Sequence, residues 1–510
     1  MVTEVGKALD FTRSENTEGL VPGKAIEKLE AALLNRSIKI HGYMLLSGKN
    51  IVAEKYFPPY KGGELHRSYS VTKSFVALAV GCLIKNKLVK LSDHIVDYYK
   101  DYLPDSVHPW LLETTIEDML RMCTCYSKTT YKDYDDENWT RTFFNKAPDH
   151  IPGTVFAYDT SAAHVLGDLT ERLTGMSFLD YLRKEAFDRI GFSKDAYTII
   201  EDSGMSQGGS GTMCTLEDMA KAAYLCSHGG VYEGEELIPQ EFIALATAKL
   251  TPTAMQNTED EQAGYGYFIW MPRIKRNEGV YDETGKMIND TEGFVFYGMG
   301  GQLAVAFPDK DFIYLTIADT IGNPAGLQIL YDAFYNNIYP YVKGMPDIPL
   351  KYEKPDLSAH RGFCYELKTR ESYEFYENIN NIRKISFEPD RDSLKLYYIP
   401  NKADVFGVFG TDPYDNRLKA ADYDKESPIE LEFIYDGKEH LFPGTGYSYI
   451  CSLKRELTHY IVYVDIFGEE LGTTKLDIAW KDDERLSVNI KSTNLPFTRQ
   501  LNGYLSARKI

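Results

Sequence analysis

The pattern of apolar residues changes at a proline-rich segment about two thirds of the way along the 510-residue chain. Before this segment, helix-like and strand-like stretches are mixed, whereas afterwards most apolar stretches alternate with polar residues at the two-residue period of a strand. Pro346, Pro349 and Pro355 lie here among charged residues, a composition typical of an extended linker. We therefore expect a first domain over residues 1–344, a linker over 345–357 and a second domain over 358–510.

The first domain is predicted to be α+β. Its helix-like stretches are residues 25–34, 70–85, 162–173, 178–187, 216–226 and 327–338, and we expect Pro340 to stop the last of them. Strand-like runs lie towards both ends: a hairpin that turns at 47–50, and later runs over 264–270 and 303–318. This order favours one antiparallel sheet shared by the two ends. The second domain is predicted to be an all-β antiparallel barrel or sandwich.

Composition argues against several classes of function. The 75 Asp and Glu outnumber the 56 Lys and Arg, and a net charge of -19 would repel nucleic acid. The seven cysteines are an odd number for a disulfide scaffold, and no Cys or His spacing indicates a metal site, so we expect no metal and no other cofactor. The chain begins without a secretory signal pattern, and its apolar runs are too short to span a membrane. We therefore expect a cytoplasmic protein without membrane or nucleic-acid partners, and its oligomeric state stays open.

A serine and a lysine three residues apart begin the predicted helix at residue 70. Ser70 and Lys73 of this Ser-Val-Thr-Lys tetrapeptide share a helix face, so the lysine amine can reach the serine hydroxyl. A helix N-terminus favours developing negative charge, and a partly desolvated lysine has a pKa low enough to act as a base. A second Ser-x-x-Lys, at 506–509, ends one residue before the C-terminus and cannot begin a helix. The alternative for residues 70–73 is an ordinary helix start.

Over residues 42–339 the sequence resembles the serine β-lactamase and penicillin-binding-protein-like hydrolases, particularly their class C and esterase branch. Residues 152–160, Pro-Gly-Thr-Val-Phe-Ala-Tyr-Asp-Thr, are similar to the family pattern Pro-Gly-x-x-Phe-x-Tyr-x-Asn. The resemblance implies a β-lactamase/transpeptidase-like domain, with a sheet flanked by helices, the nucleophile at the start of a central helix, and Tyr158 as general acid or base. Thr160 stands in place of the usual asparagine, and its hydroxyl has a different reach toward a substrate amide.

The third motif of the family, a Lys- or His-led tripeptide ending in glycine, is absent in its usual form. Residues 297–302, Tyr-Gly-Met-Gly-Gly-Gln, resemble the glycine-rich variant of esterase-like and oligomer-amide hydrolases. The resemblance implies an oxyanion hole formed by the Ser70 and Met299 amides, with Gly298 and Gly300 letting the backbone approach a substrate carbonyl. The register is open by one or two residues, and a simple glycine bulge is the alternative. Without a cation, this motif argues against β-lactamase or D,D-carboxypeptidase activity.

Two other segments carry weaker signals. The polar stretch 126–138 is predicted to be a long surface loop beside the site. Residues 208–211, Gly-Gly-Ser-Gly, are similar to a loop of the family, for which the resemblance implies a structural role. His164, on the helix after Tyr158, is interpreted as a packing residue.

Together these motifs predict a serine hydrolase that cleaves a small ester, amide or short peptide through an acyl-Ser70 intermediate. Lys73 and Tyr158 titrate as a pair, so the sequence does not decide which of them is the base. D-aminopeptidase and β-lactamase activity are the alternatives within the family. A catalytically silent penicillin-binding-like protein is the alternative from another class of function.

Overall fold

The computed structural model describes twelve ranges of the chain. These ranges are residues 8–13, 20–34, 38–133, 136–255, 264–272, 293–323, 325–350, 355–399, 429–442, 447–467, 472–493 and 501–510. Residues 351–354 of the expected linker and residues 134–135 of the expected surface loop lie outside them.

The first domain is built on one sheet to which both ends of the domain contribute, as predicted. Lys39–Ser47 pairs with Phe312–Asp319 in antiparallel register, with Leu45 opposite Tyr314. The described strands lie in the spatial order Thr12–Arg13, Asn50–Tyr56, Lys39–Ser47, Phe312–Asp319, Gln302–Phe307, Phe294–Gly298, Trp270–Met271 and Gly264–Tyr265. The first two of these strands are parallel, and the other pairs are antiparallel.

Helices cover this sheet and extend away from it as a helical region. The longer helices are Gly23–Leu34, Val71–Lys85, Thr160–Thr174, Leu216–Ser227 and Gly326–Asn337. The shorter helices are Pro109–Glu113, Ile116–Leu120, Trp139–Asn145, Phe178–Leu182, Gln240–Ala246 and Tyr339–Lys343. Short strands at His66–Arg67, Tyr197–Thr198 and Thr212–Cys214 form a small separate sheet, and Val231–Tyr232 pairs with Glu235–Glu236. In the described part of the chain, no helix is long and apolar enough to cross a membrane.

Local structure differs from the sequence prediction at four places. Residues 178–187 form an α-helix over Phe178–Leu182 and then a wider π-helical turn over Arg183–Phe187. The helix Gly326–Asn337 ends before Pro340, as expected, but Pro340 lies in the first turn of a further short helix, Tyr339–Lys343, that was not predicted. The predicted run 264–270 is interrupted: Gly264–Tyr265 and Trp270–Met271 are short strands, and residues 266–269 between them are not in a strand. The stretch 126–138 is not wholly a surface loop, because Tyr126, Thr129 and Thr130 are buried.

The central helix, Val71–Lys85, is surrounded by apolar side chains. Every residue from Val71 to Leu83 is buried, which fits a helix that is apolar on most of its circumference. Phe75 makes edge contacts with the rings of Phe187 and Phe296, at 5.6 and 6.4 Å between centroids. The helix therefore packs between the helical region and the strand Phe294–Gly298, and its N-terminus is held by the core of the domain.

The second domain is a single antiparallel sheet, as predicted, which curls into a near-barrel. Its described strands follow the spatial order Ile429–Ile434, Ser393–Tyr398, Ile382–Glu388, Glu371–Phe375, Gly503–Lys509, Arg485–Thr493, Gly472–Trp480, His459–Phe467, Ser448–Glu456 and Asp436–Leu441. The ring of Phe433, on one edge strand, lies 6.0 Å from Phe442 and 6.1 Å from Tyr449 at the other edge. The two edges therefore face each other across the inside of the sheet.

Candidate active site

Ser70 lies at the start of the central helix. It is the N-cap residue of Val71–Lys85 and follows Tyr69, whose backbone has a φ of 48°. The segment before the helix is fixed to a neighbouring strand, because the Ser68 N–H donates to the Thr212 carbonyl at 2.9 Å. The Thr212 N–H in turn donates to the Thr72 hydroxyl at 3.0 Å. Ser70 is half-buried and reaches the surface at the positive end of the helix dipole.

The structure places Lys73 within hydrogen-bonding distance of Ser70. Its Nζ lies 2.9 Å from the Ser70 Oγ, and the side chain is 1% exposed. Burial lowers the pKa of Lys73 to about 7, an effect that the Asp159 carboxylate opposes. Near neutral pH a large fraction of this amine is therefore unprotonated and can accept a proton.

Two further partners of Lys73 were not recognised in the sequence as functional. The Lys73 Nζ donates to the Gly209 carbonyl at 2.6 Å. Asp159, the N-cap of the helix Thr160–Thr174, is buried, and this burial raises its pKa to about 6. The position of Asp159 beside Tyr158 is the one sequence signal for its role, whereas the contact of a backbone carbonyl with a distant lysine has no signal in the sequence. The glycine-rich loop at 208–211 therefore contacts the site directly, in addition to its expected structural role.

Tyr158 lies over the Lys73 amine. The Lys73 Nζ is 5.0 Å from the centroid of the tyrosine ring, and that ring stacks on Trp270 at 5.5 Å with 27° between the ring planes. Trp270 also contacts the rings of Tyr265 and Tyr297. Ser70, Lys73 and Tyr158 are thus brought together from a helix start and a loop, beside a cluster of aromatic rings.

Thr160 is half-buried at the start of the helix Thr160–Thr174 and packs against the glycine-rich loop. Its N–H donates to the Thr129 hydroxyl at 3.0 Å. Its methyl group faces Gly209 so closely that a Cβ added to Gly209 would lie 2.2 Å from the Thr160 Cγ2. Thr160 therefore supports the carbonyl that binds Lys73, and only glycine fits opposite it.

The third motif forms a hairpin turn beside the nucleophile. Gly298 pairs with Gln302, so the residues Met299, Gly300 and Gly301 make the turn. A Cβ added to Gly298 would lie 2.2 Å from the Ser68 carbonyl oxygen, two residues before Ser70. The Gln302 side chain donates to the Ala318 carbonyl at 2.7 Å and holds the turn in place. The glycine thus permits close contact between this hairpin and the backbone that carries the serine.

Comparison with known protein families agrees with this arrangement. The family model described as Beta-lactamase matches residues 41–320, more than half of the chain. The chain belongs to this family. The match covers the candidate serine, lysine and tyrosine as well as the third-motif hairpin, and it confirms the resemblance to serine β-lactamases and penicillin-binding proteins.

Individual relatives of the chain within this β-lactamase family are distant. It is 22% identical over 231 residues to the 6-aminohexanoate-dimer hydrolase of Paenarthrobacter ureafaciens, an alignment that covers 42% of this chain and 58% of that protein. It is 21% identical over 317 residues to an uncharacterized protein of Alkalihalophilus pseudofirmus, covering 56% of this chain and 86% of that protein. The chain thus spans less than two thirds of the length of the first relative.

A solved structure from Bacillus anthracis shows the same fold. It is described as a "Putative 6-aminohexanoate-dimer hydrolase" and superposes with a TM-score of 0.51 at 18% sequence identity. The superposition covers 67% of this chain and 89% of the other. The β-lactamase/transpeptidase-like fold predicted from the motifs is therefore confirmed.

Proposed function

We propose that the protein is a serine hydrolase that cleaves a small ester or amide through a covalent acyl-Ser70 intermediate. The observation that carries this proposal is the 2.9 Å contact between the Lys73 Nζ and the Ser70 Oγ, made by an amine whose pKa burial lowers to about 7. A serine hydroxyl is a poor nucleophile until a neighbouring base accepts its proton. An almost fully buried lysine at hydrogen-bonding distance is suited to that role.

In the first half of the reaction, the Ser70 Oγ attacks the substrate carbonyl carbon, and its proton passes to the Lys73–Tyr158 pair. The bond from that carbon to the leaving oxygen or nitrogen then breaks, and the pair returns the proton to the leaving group. In the second half, the oxygen of a water molecule attacks the acyl carbon while its proton passes to the same pair. The bond from that carbon to the Ser70 Oγ then breaks and the pair gives the proton to the Oγ, so the products are a carboxylic acid and the free serine. The two side chains form a coupled pair, so either can be the group that first accepts the proton.

Backbone amides are proposed to stabilise the negative oxygen that forms during both halves. One is the Ser70 amide at the start of the central helix, and the other is the Met299 amide in the hairpin turn. The close contact of Gly298 with Ser68 supports this assignment, because it holds the turn beside the nucleophile. Gly300, with a φ of 85°, lets the chain reverse immediately afterwards.

The substrate is proposed to carry an uncharged acyl group. The turn from Met299 to Gly301 has no cationic side chain of the kind that binds the carboxylate of a β-lactam or peptide. Beside it lies the aromatic cluster around Trp270, which suits an apolar group. The name of the Paenarthrobacter relative, a 6-aminohexanoate-dimer hydrolase, supports a small amide as one such substrate. D-aminopeptidase and β-lactamase activity rank second and third.

A substrate screen with an inactive control tests this proposal. The purified chain and its Ser70→Ala variant are compared on p-nitrophenyl acyl esters, linear aminoacyl amides, D-amino-acid amides and a chromogenic cephalosporin. We expect turnover of esters or small amides by the wild type and none by the variant. Preferential hydrolysis of the cephalosporin would rank β-lactamase activity above ester or small-amide hydrolysis. Absence of turnover on every substrate, together with no labelling by a fluorophosphonate, would favour the silent binding protein.

A further inference from the structure

The second domain touches the first at the loop that carries Tyr158. The Tyr504 hydroxyl, on strand Gly503–Lys509, donates to the Phe156 carbonyl at 3.1 Å. Two residues later on the same strand, Ser506 accepts a hydrogen bond from the Ile151 N–H at 3.0 Å. The His150 ring stacks on the Tyr504 ring, with 5.0 Å between centroids and 27° between planes. One strand of the near-barrel therefore binds the loop at three successive places.

The loop side of these contacts is shielded from water, whereas Tyr504 itself is partly exposed. His150, Ile151 and Phe156 are at most 1% exposed, and Ser506 is 4% exposed. A buried backbone group that loses its hydrogen-bond partner destabilises the fold, so these hydrogen bonds restrict where the loop can lie.

The loop is also bonded to the first domain at several backbone positions, including Asp159, whose N–H donates to the Met122 Sδ at 3.3 Å. Its backbone donates from Gly153 to the Cys123 carbonyl at 2.7 Å and from Ala157 to the Met122 carbonyl at 2.8 Å. The segment between these two bonds contains Phe156, whose carbonyl accepts from Tyr504. The second domain therefore supplies a bond in the middle of the span, two residues before Tyr158.

Phe156 also links this contact to the aromatic rings beneath Tyr158. Its ring lies 5.2 Å from Tyr265 and 5.7 Å from Trp270, and Trp270 is the ring on which Tyr158 stacks. A displacement of Phe156 would therefore shift both the backbone leading to Tyr158 and the surface that supports its ring.

We infer that Tyr504 is a positioning residue for Tyr158, so that the second domain completes the proton-transfer half of the site. This inference rests on the proposed function of the Ser70, Lys73 and Tyr158 group. The Tyr504 hydroxyl holds the Phe156 carbonyl and thereby keeps the Tyr158 hydroxyl near the path of the proton. Ser506 acts on the same loop through the Ile151 amide.

The matched pair of variants is Tyr504→Phe and Tyr460→Phe. Both remove one hydroxyl that donates to a backbone carbonyl, but the Tyr460 hydroxyl binds Tyr365 at 3.2 Å within the second domain. We expect Tyr504→Phe to lower kcat roughly tenfold with little change in KM, because proton transfer and not ground-state binding is affected. Tyr460→Phe is expected to leave kcat within about twofold of the wild type. Ser506→Ala, which removes a second contact between this strand and the loop, is also expected to lower kcat.

A double-mutant cycle separates positioning from a general loss of stability. Removal of the Tyr158 hydroxyl by Tyr158→Phe is expected to lower kcat by roughly two orders of magnitude or more. In that background Tyr504→Phe should have no further effect on kcat, because the group that it positions is gone. An equal loss from Tyr504→Phe in both backgrounds, or equal kcat values for Tyr504→Phe and Tyr460→Phe, would overturn the positioning role alone. A wild type without Ser70-dependent turnover would overturn the proposed function and this inference together.

Discussion

The two halves of the proposed site are held in different ways. Ser70 and Lys73 belong to a helix that is buried from Val71 to Leu83, and the contacts of Lys73 come from the first domain. Tyr158 follows a loop that is bonded partly to the first domain and partly to Tyr504 of the second. The nucleophile is thus fixed by the core of one domain, whereas the tyrosine depends on the contact between two.

The side chains of the proposed site are therefore held in position by two kinds of interaction. Packing around a buried helix fixes a side chain through many weak contacts, and the loss of one contact has a limited effect. A loop held by a few buried hydrogen bonds depends strongly on each of them. Substitutions in the helix half should therefore change activity because a reacting group is lost. Substitutions in the loop half should change activity because Tyr158 is displaced.

The largest effect is expected from the lysine in the helix half. Lys73→Ala removes the amine beside the Ser70 hydroxyl and should lower kcat/KM by two or more orders of magnitude. Lys73→Arg keeps the positive charge but cannot act as a base at neutral pH, so it should be about as inactive. Steady-state kinetics and circular dichroism on both variants check this expectation. An active Lys73→Arg would show that the side chain supplies charge and not a proton acceptor.

The next effect concerns the hairpin turn beside the nucleophile. In Gly298→Ala the new methyl group would meet the Ser68 carbonyl oxygen at 2.2 Å, so the turn or the backbone before Ser70 must move. We expect kcat to fall roughly 10- to 100-fold, because the oxyanion donors are displaced. Gly23→Ala is the control, since no atom lies within 4 Å of its added Cβ. Wild-type kcat in Gly298→Ala would contradict the placement of the oxyanion hole.

The pH dependence tests the electrostatics of the helix half. Burial lowers the pKa of Lys73 to about 7, so the protonated form, which cannot accept the serine proton, predominates at lower pH. On an uncharged ester, kcat/KM should therefore fall about tenfold per pH unit below this value. Asp159 raises the pKa of Lys73, and its removal in Asp159→Asn should move the acid limb to lower pH. A profile that stays flat from pH 5 to about 8 would contradict Lys73 as the group that first accepts the proton.

The smallest effect is expected at Thr160. Thr160→Ala should reduce activity less than about tenfold, because the side chain supports the Gly209 carbonyl and takes no part in bond making. Two further variants separate its methyl group from its hydroxyl. Thr160→Val keeps the methyl contact and should be nearly as active as the wild type, whereas Thr160→Ser loses it and should be slower. A loss in Thr160→Ala equal to that in Lys73→Ala would contradict the supporting role.

Local spacing was enough to predict that Ser70 and Lys73 lie close together, whereas their role in a site was implied by the resemblance to the family. Ser70 and Lys73 are close because i and i+3 share a helix face, and this relation depends on no other part of the chain. Likewise, the turn at 47–50 and the alternation in the second domain predicted the hairpin and the antiparallel sheet. The β-lactamase-type fold followed from the order of the motifs.

Contacts between distant segments could not be predicted in this way. The Gly209 carbonyl reaches Lys73, and Tyr504 reaches Phe156, through the tertiary fold alone, since neither contact leaves a pattern in either segment. The short helix Tyr339–Lys343 was not predicted, because a proline is tolerated in the first turn of a helix and the sequence did not show that a second helix begins there. Tyr158 itself was predicted from its motif, but the contacts that hold its loop needed the structure.

The most direct test of the central claim is the site of covalent labelling. The full-length protein is treated with a fluorophosphonate, its intact mass is measured, and the labelled peptide is sequenced by mass spectrometry. The account predicts one adduct per chain, on the peptide that carries Ser70, and no adduct in a folded Ser70→Ala variant. An adduct on a different serine, or full activity in Ser70→Ala, would contradict it.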